Sequence, residues 1–171
     1  MAKSREDITY RGHRVIANAG GAMIYPQKHG FKADGVEEAL SQARTWIDDR
    51  YAARVDERRA KHVGTVDDYA DALEANPPSA KEQIMLRAHA TAPERKLTAQ
   101  ALADAAGWKS HSSANVHYGK LGRAMCEQLG LKVKGDNSLA YTHALGEYDE
   151  ASSEWQMHEE LAEALERLEI V

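Results

Sequence analysis

The sequence predicts a mainly helical α+β chain in two parts: a β-hairpin with a long helix over residues 1–78 and a winged helix-turn-helix-like domain over residues 79–171. Three observations predict this. Apolar residues recur at steps of three and four in several segments, and β-prone stretches with turn residues stand at the start and near the end. Between the two parts, Pro77 and Pro78 interrupt the helical pattern.

The first part begins with the predicted hairpin. Residues 8–16 are β-prone, "NAGG" is turn chemistry, and "AMIY" predicts the second strand. A long amphipathic helix follows, with the stripe Val36, Leu40, Ala43, Ile47, Tyr51 and Val55. A short helix capped by Thr65 then ends before the two prolines.

The second part predicts three helices, a hairpin and a closing helix. The first helix starts at Ser79 with an apolar set of Ile84, Leu86 and Ala88, and the second runs from the N-cap Thr98 to a left-handed Gly107. The third starts near Ser112 and has the stripe Ala114, Tyr118, Leu121, Met125 and Leu129, ending at Gly130. "LKVKGDNSLAYTHALGEY" predicts strand, turn and strand, "SEWQMH" a further strand, and "EELAEALERLEIV" the closing helix.

The charge distribution separates a basic block from an acidic one. The net charge of the chain is −5. Residues 79–135 carry nine Lys or Arg and four Asp or Glu, a balance of +5, whereas residues 136–171 carry one Arg and ten Asp or Glu, a balance of −9. Because Lys and Arg neutralise phosphates, nucleic-acid affinity is expected in the basic block.

The segment "LTAQALADAAGWKSHSSANVHYGKLGRAMCEQLG" has the helix, glycine turn and helix order of a helix-turn-helix. Its second helix would place polar side chains in the major groove. An alternative remains open, in which this helix is one wall of a core and Gly119 and Gly122 accommodate a neighbouring helix. The candidate DNA-contacting residues are Lys109, Ser110, His111, Ser113, Asn115, His117, Lys120 and Arg123.

Residues 80–171 also resemble a small bacterial and phage domain associated with restriction-type proteins, including ones with an HNH nuclease domain. The quoted segment and the later "SEWQMHEELAEALERLEIV" carry the resemblance, which covers about half the chain and omits the first 78 residues. The resemblance implies substrate recognition beside a nuclease. The nuclease part itself has no counterpart in this sequence.

Catalysis, a cofactor and a metal ion are not expected. The sequence contains no HExxH, no GxSxG and no glycine-rich phosphate loop. "HSSANVH" supplies His111, Asn115 and His117 for an HNH-type metal, but on a helix the third points away from the other two. Cys126 is the only cysteine, which excludes an internal disulfide, and it is expected to be buried. With no apolar run of membrane-spanning length and no secretory signal, the chain is expected in the cytoplasm without a membrane partner.

The leading hypothesis is a non-catalytic protein that binds double-stranded DNA, with the first part as an accessory or homodimerisation unit. The alternative is a phage-encoded inhibitor that binds a host defence nuclease complex through the acidic segment 136–171. A structural protein of a phage particle is a third interpretation, which fits the size but has no motif in its favour.

Overall fold

The computed structural model describes residues 5–171, which form two antiparallel sheets and seven α-helices within that range. The predicted α+β class is therefore confirmed. By their contacts these residues form two compact units. The first comprises the described residues up to Asp56 together with Glu74–Asn76, and the second comprises Glu57–Leu73 and Pro77–Val171.

The first unit is a four-stranded meander covered by a helix. The predicted two-stranded hairpin is too small, because residues 5–18 form two strands that are joined at Arg11 and Gly12. Both joining residues have positive φ, 46° and 80°, which is the backbone that a tight hairpin turn requires. The elements are β1 (Arg5–Tyr10), β2 (His13–Asn18), β3 (Gly21–Tyr25), β4 (His29–Lys32) and α1 (Val36–Ala52), with the strands in sequence order.

The core of the first unit lies between α1 and the central strands. The predicted α1 stripe is confirmed at its middle, where Leu40, Ala43, Ile47 and Tyr51 are buried. Val55 is 52% exposed because the helix ends at Ala52 and a 3-10 turn follows.

The second unit contains six helices and a three-stranded sheet. Its sheet order is β5-β7-β6, so the last strand lies in the middle. The elements are α2 (Val66–Ala75), α3 (Ala80–Thr91), β5 (Lys96–Thr98), α4 (Ala99–Ala105), α5 (His111–Leu129), α6 (Ser138–Thr142), β6 (Gly146–Asp149), β7 (Glu154–Met157) and α7 (Glu159–Arg167).

The predicted helix ends are largely confirmed. Ser79 forms a capping box with Glu82, and the Thr98 hydroxyl accepts a hydrogen bond from the Ala101 amide. Gly107 and Gly130 both have left-handed φ, 69° and 68°, as the C-terminal glycine signal requires. The capping residues thus predict where α3, α4 and α5 lie in the sequence, although α5 begins at His111 rather than after Ser112.

The predicted strand and turn over residues 131–148 are wrong in part. Asn137 does not sit in a hairpin turn, because its side chain accepts from the Ala140 amide at 2.8 Å and caps α6. The hairpin instead joins β6 to β7, so the strand predicted in "SEWQMH" is confirmed. The apolar set of α3 is also corrected: Ile84 is 47% exposed, whereas Met85 is buried.

Residues 57–73, which the sequence places in the first part, pack with the second unit. The Arg58 guanidinium forms a buried ion pair with Asp68 at 2.8 Å and donates to the Leu129 carbonyl at 3.0 Å. The Tyr69 hydroxyl donates to the Ala144 carbonyl at 2.6 Å. These contacts connect α2 and the loop before it to the C-terminal half, and by contacts residues 57–73 group with the second unit while Glu74–Asn76 group with the first.

Candidate nucleic-acid interface

One face of α5 is anchored in the core and the opposite face is exposed. The five predicted stripe residues of α5 are all buried: Ala114, Tyr118, Leu121, Met125 and Leu129. The opposite positions recur at steps of four and three and are exposed: Ser112, Val116, Lys120, Arg123 and Glu127. Helix α5 is therefore a core wall on one side and an accessible polar surface on the other.

A buried hydrogen-bond chain fixes the position of α5. The His89 Nε2–H group donates to the Trp155 carbonyl at 2.7 Å, since a carbonyl oxygen only accepts. Nδ1 of the same neutral ring accepts from the Tyr118 hydroxyl. Burial lowers the pKa of His89 to about 4, which keeps the ring neutral. This chain connects α3, α5 and β7 through groups that have no access to water.

Gly119 and Gly122 accommodate a neighbouring helix. A Cβ atom at Gly122 would lie 2.0 Å from the Tyr141 carbonyl oxygen, and one at Gly119 would lie 1.8 Å from the Ser138 hydroxyl. Both neighbours belong to α6, which crosses α5 at this point. The structure thus favours the helix-packing interpretation of these glycines, and this strip of α5 is not open to a ligand.

The eight candidate residues divide by exposure. Lys109, His111, Lys120 and Arg123 are exposed, whereas Ser110, Ser113, Asn115 and His117 are half-buried. The structure brings Lys120 and Arg123 onto the exposed face of α5, with Lys109 just before the helix. Asn115 lies outside that exposed stripe.

Two of the candidates already have partners. The His117 ring stacks on Trp108 with centroids 4.2 Å apart, and its Nδ1 lies 2.8 Å from a Glu82 carboxylate oxygen. His117 therefore connects α5 to the capping box of α3. Arg123 pairs with Glu127 at 2.8 Å, one helical turn away, on a fully exposed surface. Such exposed pairs are weak, so Arg123 can exchange its partner for a phosphate.

Sequence reasoning missed two residues of the exposed face, Ser112 and Val116. Val116 is 46% exposed at the centre of that face. Val116 and Ser112 precede Lys120 by four and eight residues, so the helical period predicts that all three share one face. A hydroxyl can hydrogen-bond a base edge, and an apolar side chain can contact a thymine methyl group.

The hairpin β6–β7 is acidic. Residues 146–157 contain four carboxylates and no Lys or Arg: Glu147, Asp149, Glu150 and Glu154. Asp149 accepts hydrogen bonds from the Ala151 and Ser152 amides, and these lower the pKa of Asp149. The hairpin therefore remains negatively charged near neutral pH and would repel a phosphate backbone.

Within residues 5–171, one group of three His, Asp or Glu side chains could hold a metal ion, formed by His62, Glu147 and His158. None of them belongs to the HNH-like set on α5. Sequence spacing could not reveal this group, because its members are separated by 85 and 11 residues and lie on different elements.

No family model, curated protein or solved structure significantly matches the chain. The resemblance of residues 80–171 to a restriction-associated domain accordingly stays a prediction. None of the helices in residues 5–171 combines the length and the apolar character that a membrane crossing requires.

Proposed function

We propose that the chain is a non-catalytic DNA-binding protein whose second unit is a winged helix-turn-helix, with α5 as the recognition helix. The observation that carries the proposal is the exposed stripe of α5, which places Ser112, Val116 and Lys120 on one face with Lys109 at its start. A helix of this kind fits the major groove, where hydroxyl, methyl and ammonium groups meet base edges and phosphates.

The order of elements supports this assignment. Helix α3, strand β5, helices α4 and α5, and strands β6 and β7 occur in this order, with the short helix α6 inserted between α5 and β6. Strand β7 pairs with both other strands. A winged helix-turn-helix has this order, with the β6–β7 hairpin as its wing. The left-handed Gly107 lies between α4 and α5, where the motif has its turn.

The acidic wing limits how the proposed complex can be arranged. Its carboxylates would face phosphates if the wing approached the duplex, and the Coulomb term would then oppose binding. We therefore assign DNA contact to α5 and to the residues just before it, Lys109 and Ser110, with the wing directed away from the duplex. The remaining half-buried candidates, Ser110, Ser113 and Asn115, would contribute at the edge of that surface.

Binding to a labelled random duplex tests the proposal. We expect the affinity of the full chain to fall steeply between about 50 and 200 mM salt, because phosphate contacts release counterions. Lys109→Gln and Lys120→Gln should each weaken binding and each reduce the slope of log affinity against log salt by about 1. The matched control is Lys61→Gln, which removes an exposed lysine from the loop before α2 and should leave the slope unchanged.

Two results would contradict the assignment. One is a folded Lys109→Gln/Lys120→Gln double variant that binds as tightly as the unaltered chain. The other is a chain that ignores duplex DNA even at the lower salt concentration.

A protein-binding inhibitor is the second candidate, and the acidic surface favours it. Besides the wing, Glu163, Glu166 and Glu169 are exposed on or just after α7. Carboxylates arranged on a folded surface could occupy a nucleic-acid channel of a host defence nuclease complex. This candidate predicts no affinity for free duplex, together with a complex that dissociates when Glu163 and Glu166 are replaced by Gln.

A further inference from the structure

We propose that His62, Glu147 and His158 form a zinc-binding site in the second unit. The three residues come from the loop before α2, from β6 and from the segment between β7 and α7. One ligand atom of each lies within 4.8 Å of the other two. Two imidazoles and one carboxylate are a known zinc ligand set, which leaves a fourth position for water.

The distances between the ligand atoms bracket those of a zinc site. His62 Nε2 and Glu147 Oε1 are 2.6 Å apart, the separation of a hydrogen bond. Around tetrahedral zinc, with bonds of about 2.0–2.2 Å, neighbouring ligand atoms lie about 3.3–3.6 Å apart. Side-chain shifts of about 1 Å therefore suffice. His62 and Glu147 can make such shifts, because their side chains are 30% and 50% exposed.

His143 orients two of the proposed ligands. The His158 Nε2–H group donates to the His143 carbonyl at 2.9 Å, which leaves Nδ1 of His158 with its lone pair for a metal. A histidine that ligates zinc usually donates its other N–H group in this way. His143 Nδ1 also lies 3.3 Å from the second carboxylate oxygen of Glu147. His143 is therefore a positioning residue.

Arg59 is the cation beside the site. Its Nη2 lies 3.4 Å from His158 Nδ1, and its Nε donates to Glu160 at 3.0 Å. The Arg59 side chain is 57% exposed, so its guanidinium can turn to water while a metal binds His158. Zinc is favoured over Mg²⁺ or Ca²⁺, because those cations prefer oxygen ligands and two of the three ligands here are imidazoles.

The test is a calorimetric titration of the untagged full chain, stripped of metal with a chelator, with Zn²⁺ alone as the probe. We expect one tight site and a rise of several degrees in Tm, because the bound metal would link three segments of the second unit. His62→Gln and Glu147→Gln should each weaken binding by at least about tenfold. His29→Gln is the matched control, since it removes a half-buried histidine from the first unit.

Three results would overturn the site. The first is that the metal-stripped chain binds no Zn²⁺. The second is that affinity stays unchanged in both His62→Gln and Glu147→Gln, both of which alter partly exposed side chains and should fold. The third is an equal loss of affinity in His29→Gln, which would indicate scattered surface binding. In each case the cluster would be a hydrogen-bond network only.

Discussion

At the scale of single residues, His89 shows how a buried titratable group makes stability depend on pH. Its folded pKa is about 4, against an ordinary value of 6.5. Between these values the unfolded chain binds more protons than the folded one. The contribution of His89 to the free energy of unfolding is therefore fully present above pH 6.5. It decreases as the pH drops towards 4 and stays constant below pH 4.

We accordingly expect the free energy of unfolding to decrease by about 3 kcal/mol between pH 6.5 and 4 through His89 alone. His89→Gln lacks the titrating ring and should show a flatter pH profile, even though its stability at pH 7 is lower. Urea unfolding at several pH values measures both. His111→Gln serves as the control, because His111 is exposed; a steep profile in His89→Gln equal to that of the control would refute the argument.

Residue types and spacing could predict only part of the candidate site. Lys109 and Lys120 were identified because a short first helix and a glycine turn mark the position of the second helix. The sequence predicts that His117 faces outward, yet its contacts with Trp108 and Glu82 hold it at the boundary of α3 and α5. Such tertiary contacts have no signal in the local sequence. For the same reason, the sequence does not reveal the group formed by His62, Glu147 and His158.

At the scale of elements, the crossing of α5 and α6 depends on two glycines. A methyl group at position 122 would meet the backbone of Tyr141, which cannot rotate away, so α6 would have to move. We expect Gly122→Ala to lower the free energy of unfolding by about 1–3 kcal/mol. Gly119→Ala should cost less, because a rotamer change of Ser138 relieves the closest contact. The remaining backbone contact, with the Ser138 carbonyl oxygen at 2.8 Å, is less severe than the 2.0 Å contact at Gly122.

Chemical denaturation of both variants checks this order. Gly35→Ala is the reference, because nothing lies within 4 Å of its added Cβ and its φ of 179° is ordinary extended backbone. A Gly122→Ala variant as stable as Gly35→Ala would mean that the two helices do not pack this closely.

Long helices with a periodic apolar pattern and capping residues could be predicted from the sequence, whereas short elements could not. The stripe of α5 and the glycine ends of α4 and α5 followed from the sequence, since nineteen residues of periodic pattern are unambiguous. Helix α6 has five residues, which is too short for a period, and "GDNS" has turn composition. The first hairpin was missed because Arg11 and Gly12 do not form the usual Asn-Gly signal.

At the scale of the whole molecule, the division into two units makes a prediction about fragments. A fragment that starts at residue 79 lacks the hydrogen bond from Arg58 to the Leu129 carbonyl and the one from Tyr69 to the Ala144 carbonyl. It also exposes the apolar surface that α2 covers. We expect the fragment 57–171 to unfold cooperatively in urea and the fragment 79–171 to be several kcal/mol less stable or unfolded.

Circular dichroism and urea titration of the two fragments measure the difference, with the full chain as the reference. Equal stability of both fragments would show that residues 57–78 add nothing to the second unit. That result would favour a boundary at the two prolines, as the sequence predicts.

The central position of β7 in its sheet determines which of the two units can fold first during synthesis. In the first unit each strand pairs with the next one along the chain, so that unit can form while later residues are still being synthesised. In the second unit β5 must wait for β7, whose residues follow more than fifty positions later. The first unit can therefore fold before the second is complete, whereas the surface that we assign to DNA can form only after β7 has been synthesised.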